Sequence, residues 1–153
     1  MMKNVLLVDD NPGILDAVRD CLQSRLPGVS MHASGTGIGA LDIVRSWPID
    51  MLITEVDLPD MNGYELIDQV RRHRPDMPVM VTSDDCSRKV VELLTSLGVN
   101  RWIEKPFDGK TIAATVRNEL DPLHNCQQRS VERYRTGARE IVRGEHHEDN
   151  HAS

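Results

Sequence analysis

The chain alternates between short apolar runs and longer segments in which apolar residues recur every three or four positions. Runs of the first kind favour β-strands, and segments of the second kind favour amphipathic helices. The predicted strands lie at 5–8, 29–33, 51–54, 79–81 and 101–103. The helical segments that follow them lie at 14–22, 38–44, 66–70, 90–97 and 112–120. The pattern therefore predicts five successive strand–helix units.

The character of the individual runs indicates how the units assemble. Residues 51–54 are almost continuously apolar, which is typical of a central parallel strand, whereas 29–33 alternate as in a half-buried edge strand. We expect the second helix to open at Gly35 and the fourth to end at Gly98. Repeated strand–helix units imply right-handed crossovers. The sequence thus predicts a doubly wound α/β fold, with a five-stranded parallel sheet covered by helices on both faces.

In such a sheet the functional site lies at the carboxyl ends of the strands, beside the point where the strand order reverses. The candidate residues at these ends are Asp9, Asp10, Glu55, Asp57, Ser83, Asp84 and Lys105. An isolated Asp-Asp pair is more often a turn or a helix cap, but a pair that faces a third carboxylate forms an oxygen site suited to Mg²⁺. A metal ion and the lysine would together neutralise a phosphoryl group during transfer.

Five short motifs, in this order and spacing, resemble the receiver domain of two-component response regulators over residues 3–121. They are VLLVDD at 5–10, MLITEVDLP at 51–59, MNG at 61–63, PVMVTS at 78–83 and KPF at 105–107. The resemblance implies a flavodoxin-like (βα)5 fold with strand order 2-1-3-4-5. It also implies a magnesium-dependent switch in phosphorelay signal transduction rather than an enzyme.

The resemblance implies a role for each matching position. The Mg²⁺ (or Mn²⁺) ligands would be Asp9, Asp10, Glu55 and the backbone carbonyl of Asp57. Ser83 and Trp102 would be the hydroxyl and the aromatic residue of the switch, and Lys105 would contact the phosphoryl group. Trp102 has an equally open alternative, as a large hydrophobic side chain that covers the sheet edge.

The family's phosphoacceptor stands four residues before Pro59, where this chain has Glu55 instead of the usual aspartate. The extra methylene moves the carboxylate outward by ~1.5 Å, and in-line transfer tolerates such an error poorly. Three interpretations remain open: a partial mimic of phosphoaspartate, a working acceptor fed by a histidine kinase (with Asp57 as an alternative acceptor), and a metal ligand without signalling meaning. We favour the first, a phosphorylation-independent receiver.

Further acids set this site apart from the family pattern. Asp84 follows the switch hydroxyl, where a small residue is common, and would repel a phosphodonor. Two unit charges ~4 Å apart repel by roughly 4 kcal/mol at an effective dielectric constant of about 20. The acids near Lys105 therefore cannot all stay ionised unless a divalent cation binds, and otherwise one carboxyl is protonated. The alternative for Asp57 and Asp84 is that both point into water.

Composition narrows the functional classes. The net charge of −6 and the pI near 5.5 argue against a nucleic-acid-binding surface. No apolar run is long enough for a membrane span. Cys21, Cys86 and Cys126 form no CxxC pair, which indicates free thiols in a reducing compartment. We expect a cytoplasmic protein.

The strand–helix pattern ends after residue 122, so we expect a receiver domain at 1–122 and a C-terminal tail at 123–153. Apolar residues at helical spacing indicate a tail helix over about 127–143, with a half-ordered linker as an equally open alternative, followed by a disordered polar end. The expected partners are a histidine kinase or another signalling protein, and a second copy through the fourth helix, fifth strand and fifth helix. A phosphohydrolase of the same fold would need aspartate as its nucleophile, which Glu55 does not provide.

Overall fold

The computed structural model describes residues 2–121, in which five strands and five helices alternate. The strands are β1 (Lys3–Val8), β2 (Val29–Ser34), β3 (Met51–Glu55), β4 (Val79–Ser83) and β5 (Arg101–Glu104). The helices are α1 (Pro12–Arg25), α2 (Gly37–Ser46), α3 (Gly63–His73), α4 (Arg88–Ser96) and α5 (Gly109–Leu120). The predicted alternation of strands and helices is confirmed.

The strands form one parallel sheet in the order β2-β1-β3-β4-β5. Strand β1 lies between β2 and β3, with Val5 opposite Met31 on one side and Met51 on the other. The strand order therefore reverses between β1 and β3, and a crevice opens beyond their carboxyl ends. This is the predicted doubly wound, flavodoxin-like α/β architecture.

Apolar side chains fill both faces of the sheet. Along β1, Leu6 and Val8 point to one face while Val5 and Leu7 point to the other, because successive strand residues alternate. The first face packs against α2, α3 and α4, and the second packs against α1 and α5. Each fully buried aliphatic side chain contributes roughly 1.5–3 kcal/mol. The two layers therefore hold the ends of the strands in fixed positions.

Two helix ends depend on particular residues. Helix α2 begins at Gly37 and not at Gly35 as expected, because the Thr36 side chain caps it by accepting from the Gly39 N–H at 3.0 Å. Helix α4 is followed by Gly98, whose φ of +77° is in the left-handed region that glycine adopts without strain. The expectation that Gly98 ends this helix is confirmed.

Several remaining expectations concern single residues or the tail. Cys21 and Cys86 are free thiols. Among residues 2–121, no helix is both long and apolar enough to cross a membrane. Cys126, the tail at 123–153 and its predicted helix over 127–143 lie outside the described residues.

Candidate functional site

The carboxyl edge of the sheet brings together charged side chains from three strands. Asp9 and Asp10 follow β1, Glu55 is the last residue of β3, and Lys105 follows β5. The Lys105 backbone N–H donates to the Ser83 carbonyl at 2.8 Å, which continues the β4–β5 pairing and holds the lysine at the edge. Four of the residues predicted from the sequence therefore meet at one place.

Lys105 is the centre of this cluster. Its ammonium donates to Asp9 Oδ2 at 2.9 Å and to Glu55 Oε1 at 2.9 Å. The side chains of Asp9, Lys105 and Glu55 are only 1%, 10% and 13% exposed. Because water is largely excluded, the attraction in these pairs is much stronger than on an open surface. The other oxygen of Asp9, Oδ1, accepts from the Asn11 N–H at 2.9 Å, which fixes the orientation of this carboxylate.

The single lysine does not balance the acids around it. Burial raises the pKa of Glu55 to about 7, and Asp10 and the charge of Asp9 act in the same direction against the opposing effect of Lys105. Burial alone would lower the pKa of Lys105, but its bonds to Glu55 and Asp9 outweigh that effect and raise the pKa. Without a cation, Glu55 therefore keeps its proton to a higher pH than an ordinary glutamate does.

The carboxylates fit a divalent cation. Asp9, Asp10 and Glu55 each offer one oxygen, and these oxygens lie within 4.8 Å of one another. Mg²⁺ prefers carboxylate oxygens as ligands, so these three side chains would hold such an ion after a small inward movement. Glu55 Oε2 is buried and has no hydrogen-bond partner within residues 2–121. A buried carboxylate oxygen without a donor is costly, and a cation would relieve that cost.

The two predicted switch residues do not join the charged cluster: Ser83 is the last residue of β4, and Trp102 lies within β5, opposite Val81. Ser83 is buried, and its hydroxyl donates to the Asp85 carbonyl at 2.9 Å and accepts from the Asp85 N–H at 3.1 Å. The hydroxyl thus closes a turn at the start of the β4–α4 loop. Trp102 is half-buried and packs against the hydrophobic cluster beneath α2, α3 and α4.

Asp57 and Asp84 are both exposed. Asp57 lies beyond the end of β3 and pairs with Asn62 in an isolated backbone bridge, so its side chain is not on the strand face that carries Glu55. Asp84 lines a groove of about 530 Å³ together with Lys105 and Phe107. Of the two alternatives for these acids, the solvent-facing position is the one observed. Asp84 and Lys105 nevertheless line the same groove.

Residues 5–117 match the model of the response regulator receiver domain family. The chain belongs to this family. The receiver is 34% identical over 116 residues to the sensor histidine kinase TmoS of Ectopseudomonas mendocina, an alignment that covers 74% of this chain and 12% of TmoS. It is 33% identical over 119 residues to the transcriptional regulatory protein CreB of Escherichia coli, covering 77% of this chain and 51% of CreB. The chain therefore spans an eighth of one relative and about half of the other.

Solved structures give the same result. The chemotaxis response regulator CheY4 of Vibrio cholerae is 27% identical, with a TM-score of 0.72 over 78% of this chain and all of CheY4. The BeF3-activated DrrB receiver domain is 26% identical, with a TM-score of 0.71 over 78% of this chain and 98% of DrrB.

Membership of the family defines the general role. A receiver is a signalling module of two-component systems rather than a conventional enzyme, and receivers interact with histidine kinases. The cluster of Asp9, Asp10 and Glu55 is typical of the receiver Mg²⁺ site. The receiver's acidic edge is therefore its candidate functional site.

Sequence reasoning missed the part that glycine plays beside this site. The Gly63 N–H donates to the Val56 carbonyl at 2.6 Å, and a Cβ added at Gly63 would come within 2.9 Å of Val56 Cα. No side chain fits there, since real Cβ atoms do not approach a backbone so closely. The Asn-Gly pair after Pro59 carried the signal, because it marks a tight approach of the chain to itself. Gly63 fixes the loop that follows Glu55.

Proposed function

We propose that this receiver signals through protein–protein contact without being phosphorylated. Glu55 stands at the phosphoacceptor position and acts as a partial mimic of a phosphorylated aspartate. One observation carries the proposal: Glu55 Oε1 lies 2.9 Å from the Lys105 ammonium. By resemblance to the family, this lysine would contact the phosphoryl group. With a cation bound at this edge, the ionised glutamate would present an anion to the lysine without any chemical step.

The metal has a defined part in this proposal. Asp9, Asp10 and Glu55 would hold Mg²⁺ or Mn²⁺ through their carboxylates, and Asp57 would add its backbone carbonyl. The bound ion would supply positive charge to an edge where Lys105 alone does not balance the acids. The unpartnered Oε2 of Glu55 supports this assignment, because a cation gives that oxygen a ligand.

The mimic is partial for two reasons. A glutamate carries one negative charge, whereas a phosphoryl group carries nearly two. The second reason is that the switch hydroxyl is occupied, since Ser83 Oγ bonds the backbone of Asp85. Glu55 engages the lysine of the switch, while Ser83 and Trp102 keep their contacts with the loop and the core. We infer an intermediate activity state rather than a fully activated one.

The proposed partners are a histidine kinase or another signalling protein, and a second copy that binds through α4, β5 and α5. Residues 1–122 would form the receiver domain, with the tail as a separate segment. Asp84 would modulate the site, because it lines a groove together with Lys105 and its negative charge would repel phosphate donors. Transfer from a donor would then be slow even where the nucleophile were well oriented.

A second candidate is a working phosphoacceptor, which the intact arrangement of Asp9, Asp10 and Lys105 favours. Incubation with a small acyl phosphate and Mg²⁺, followed by intact mass spectrometry, separates the two functions. We expect no phosphoryl adduct on the native chain. An adduct that persists in Asp57→Ala and disappears in Glu55→Gln would identify Glu55 as an acceptor and overturn the proposed function.

A further inference from the structure

The loop between β3 and α3 is bonded to a helix that takes no direct part in the charged cluster. The Asp60 carboxylate accepts from the first two N–H groups of α2: Oδ1 from Gly37 and Oδ2 from Ile38, each at 2.8 Å. The first N–H groups of a helix have no partner within the helix, so they are available to an external anion. These two bonds lower the pKa of Asp60, with the bond from Ile38 having the larger effect.

Apolar packing accompanies these bonds. The Met61 side chain lies against the α-carbon of Gly37, so closely that a Cβ added there would come within 2.5 Å of Met61 Sδ. Asp60 and Met61 thus contact the start of α2 through two different kinds of interaction. We refer to Asp60, Met61, Gly37 and Ile38 together as the loop–α2 clamp.

The clamp lies at the tip of a loop whose two ends bond to each other. At these ends, the Gly63 N–H donates to the Val56 carbonyl at 2.6 Å, and Asp57 pairs with Asn62 in a backbone bridge. The clamp begins three residues after Asp57, at Asp60. The bonds at the two ends of the loop join these ends to each other, whereas the clamp holds the tip of the loop to α2.

We propose that Asp60 is a positioning residue for the metal site, because the loop–α2 clamp fixes the segment that presents the Asp57 carbonyl. The inference rests on the proposed metal ligands. When the tip is released, the loop presents the Asp57 carbonyl only part of the time. The apparent metal affinity then falls in proportion to the fraction of molecules that still present it. By thermodynamic linkage, metal binding in turn favours the closed clamp.

The first test compares the Mn²⁺ affinity of variants by electron paramagnetic resonance of the free ion. Asp60→Ala removes both bonds to α2, and we expect its affinity to fall about fivefold. Thr36→Ala is the matched control, because the Thr36 hydroxyl caps the same helix by accepting from the Gly39 N–H. Its affinity should stay within about twofold of the native value. Asp60→Asn keeps one acceptor oxygen and should lie between the two.

The second test measures the exchange of the Gly37 and Ile38 amides by NMR with and without Mg²⁺. Metal should slow their exchange in the native chain and in Thr36→Ala, but not in Asp60→Ala. If Asp60→Ala fails to fold, Asp60→Asn takes its place in both tests.

The outcomes separate this inference from the proposed metal site. A native chain that binds no Mn²⁺ overturns both. Native binding with equal affinities in the native chain and the Asp60 variants overturns the role of Asp60 alone. An equal loss in Thr36→Ala and Asp60→Ala also overturns it, because the effect then follows the stability of α2.

Discussion

The Lys105 ammonium and the Glu55 carboxylate form a hydrogen-bonded ion pair of 2.9 Å, in which the glutamate side chain is 13% exposed and the lysine 10%. The pair joins β3 to the segment after β5 across the carboxyl edge of the sheet. Asp9 shares the same ammonium at 2.9 Å. Loss of any one member therefore changes the charge balance of the other two, and several measurable effects follow from this.

Removal of the lysine should destabilise the protein strongly at alkaline pH. In Lys105→Ala, Asp9 and Glu55 remain buried without their cation, and breaking a buried pair in this way costs about 3 kcal/mol or more. The loss should be smaller at acidic pH, where Glu55 is protonated. Urea unfolding without metal, at one acidic and one alkaline pH, measures how much the loss of unfolding free energy differs between the two. The exposed Lys110→Ala is the control and should change stability by less than about 0.5 kcal/mol. Equal losses at the two pH values would contradict this explanation.

Metal affinity should depend on Asp10. Its carboxylate is one of three that converge at the edge, and Asp10→Ala leaves two. We expect affinity for Mg²⁺ and Mn²⁺ to fall by about tenfold or more, measured by calorimetric titration. Asp20→Ala removes an exposed acid from α1 and serves as the control for net charge. Unchanged affinity in Asp10→Ala would remove this residue from the metal site.

Glu55→Asp should restore acceptance of phosphate from a small acyl phosphate in the presence of Mg²⁺. The substitution moves the carboxylate back by ~1.5 Å, towards the in-line position. Adding Asp84→Ala should raise the rate further, since it removes a negative charge from the groove that Lys105 also lines. Intact mass spectrometry over time gives both rates. If both variants stay unmodified, the site has lost phosphotransfer for reasons beyond Glu55, and the mimic loses its main support.

Stability without metal should fall as the pH rises through the range in which Glu55 ionises. The pKa of Glu55 rises from 4.5 to about 7 on folding, so the folded state binds more protons than the unfolded state between these values. The contribution is fully present below pH 4.5 and is lost by slightly above pH 7. It amounts to roughly 3 kcal/mol at most. Denaturant unfolding of the native chain and of Glu55→Gln isolates it as their difference.

Added Mg²⁺ gives a further check on the same effect. The ion favours the ionised carboxylate, so saturating metal should abolish the decline in stability above pH 4.5. A difference between the native chain and Glu55→Gln that does not change with pH would contradict the raised pKa of Glu55.

The sequence predicted the fold because the relevant signals are local. Apolar periodicity marked each strand and helix, and the order of strand-end acids indicated the edge where Asp9, Asp10, Glu55 and Lys105 meet. The orientation of the Ser83 hydroxyl was not predictable, since it depends on the backbone of the following loop.

The contact of Asp60 with α2 was not predictable either. Asp60 accepts from the backbone N–H groups of Gly37 and Ile38, which lie 23 and 22 positions earlier in the chain. Because the donors are backbone groups, the residue types do not indicate the contact. Spacing in the sequence thus indicates which elements approach one another, while the partners of individual polar atoms depend on loop geometry.

The ammonium of Lys105 bonds Asp9 across 96 positions of sequence and Glu55 across 50. Such distant contacts form late in folding, because most of the loop-closure entropy is lost before they can be made. Interactions that are absent from the transition state slow unfolding and leave the folding rate almost unchanged. A divalent ion at this edge would therefore slow unfolding and lengthen the lifetime of the native state. It would leave the folding rate almost unchanged.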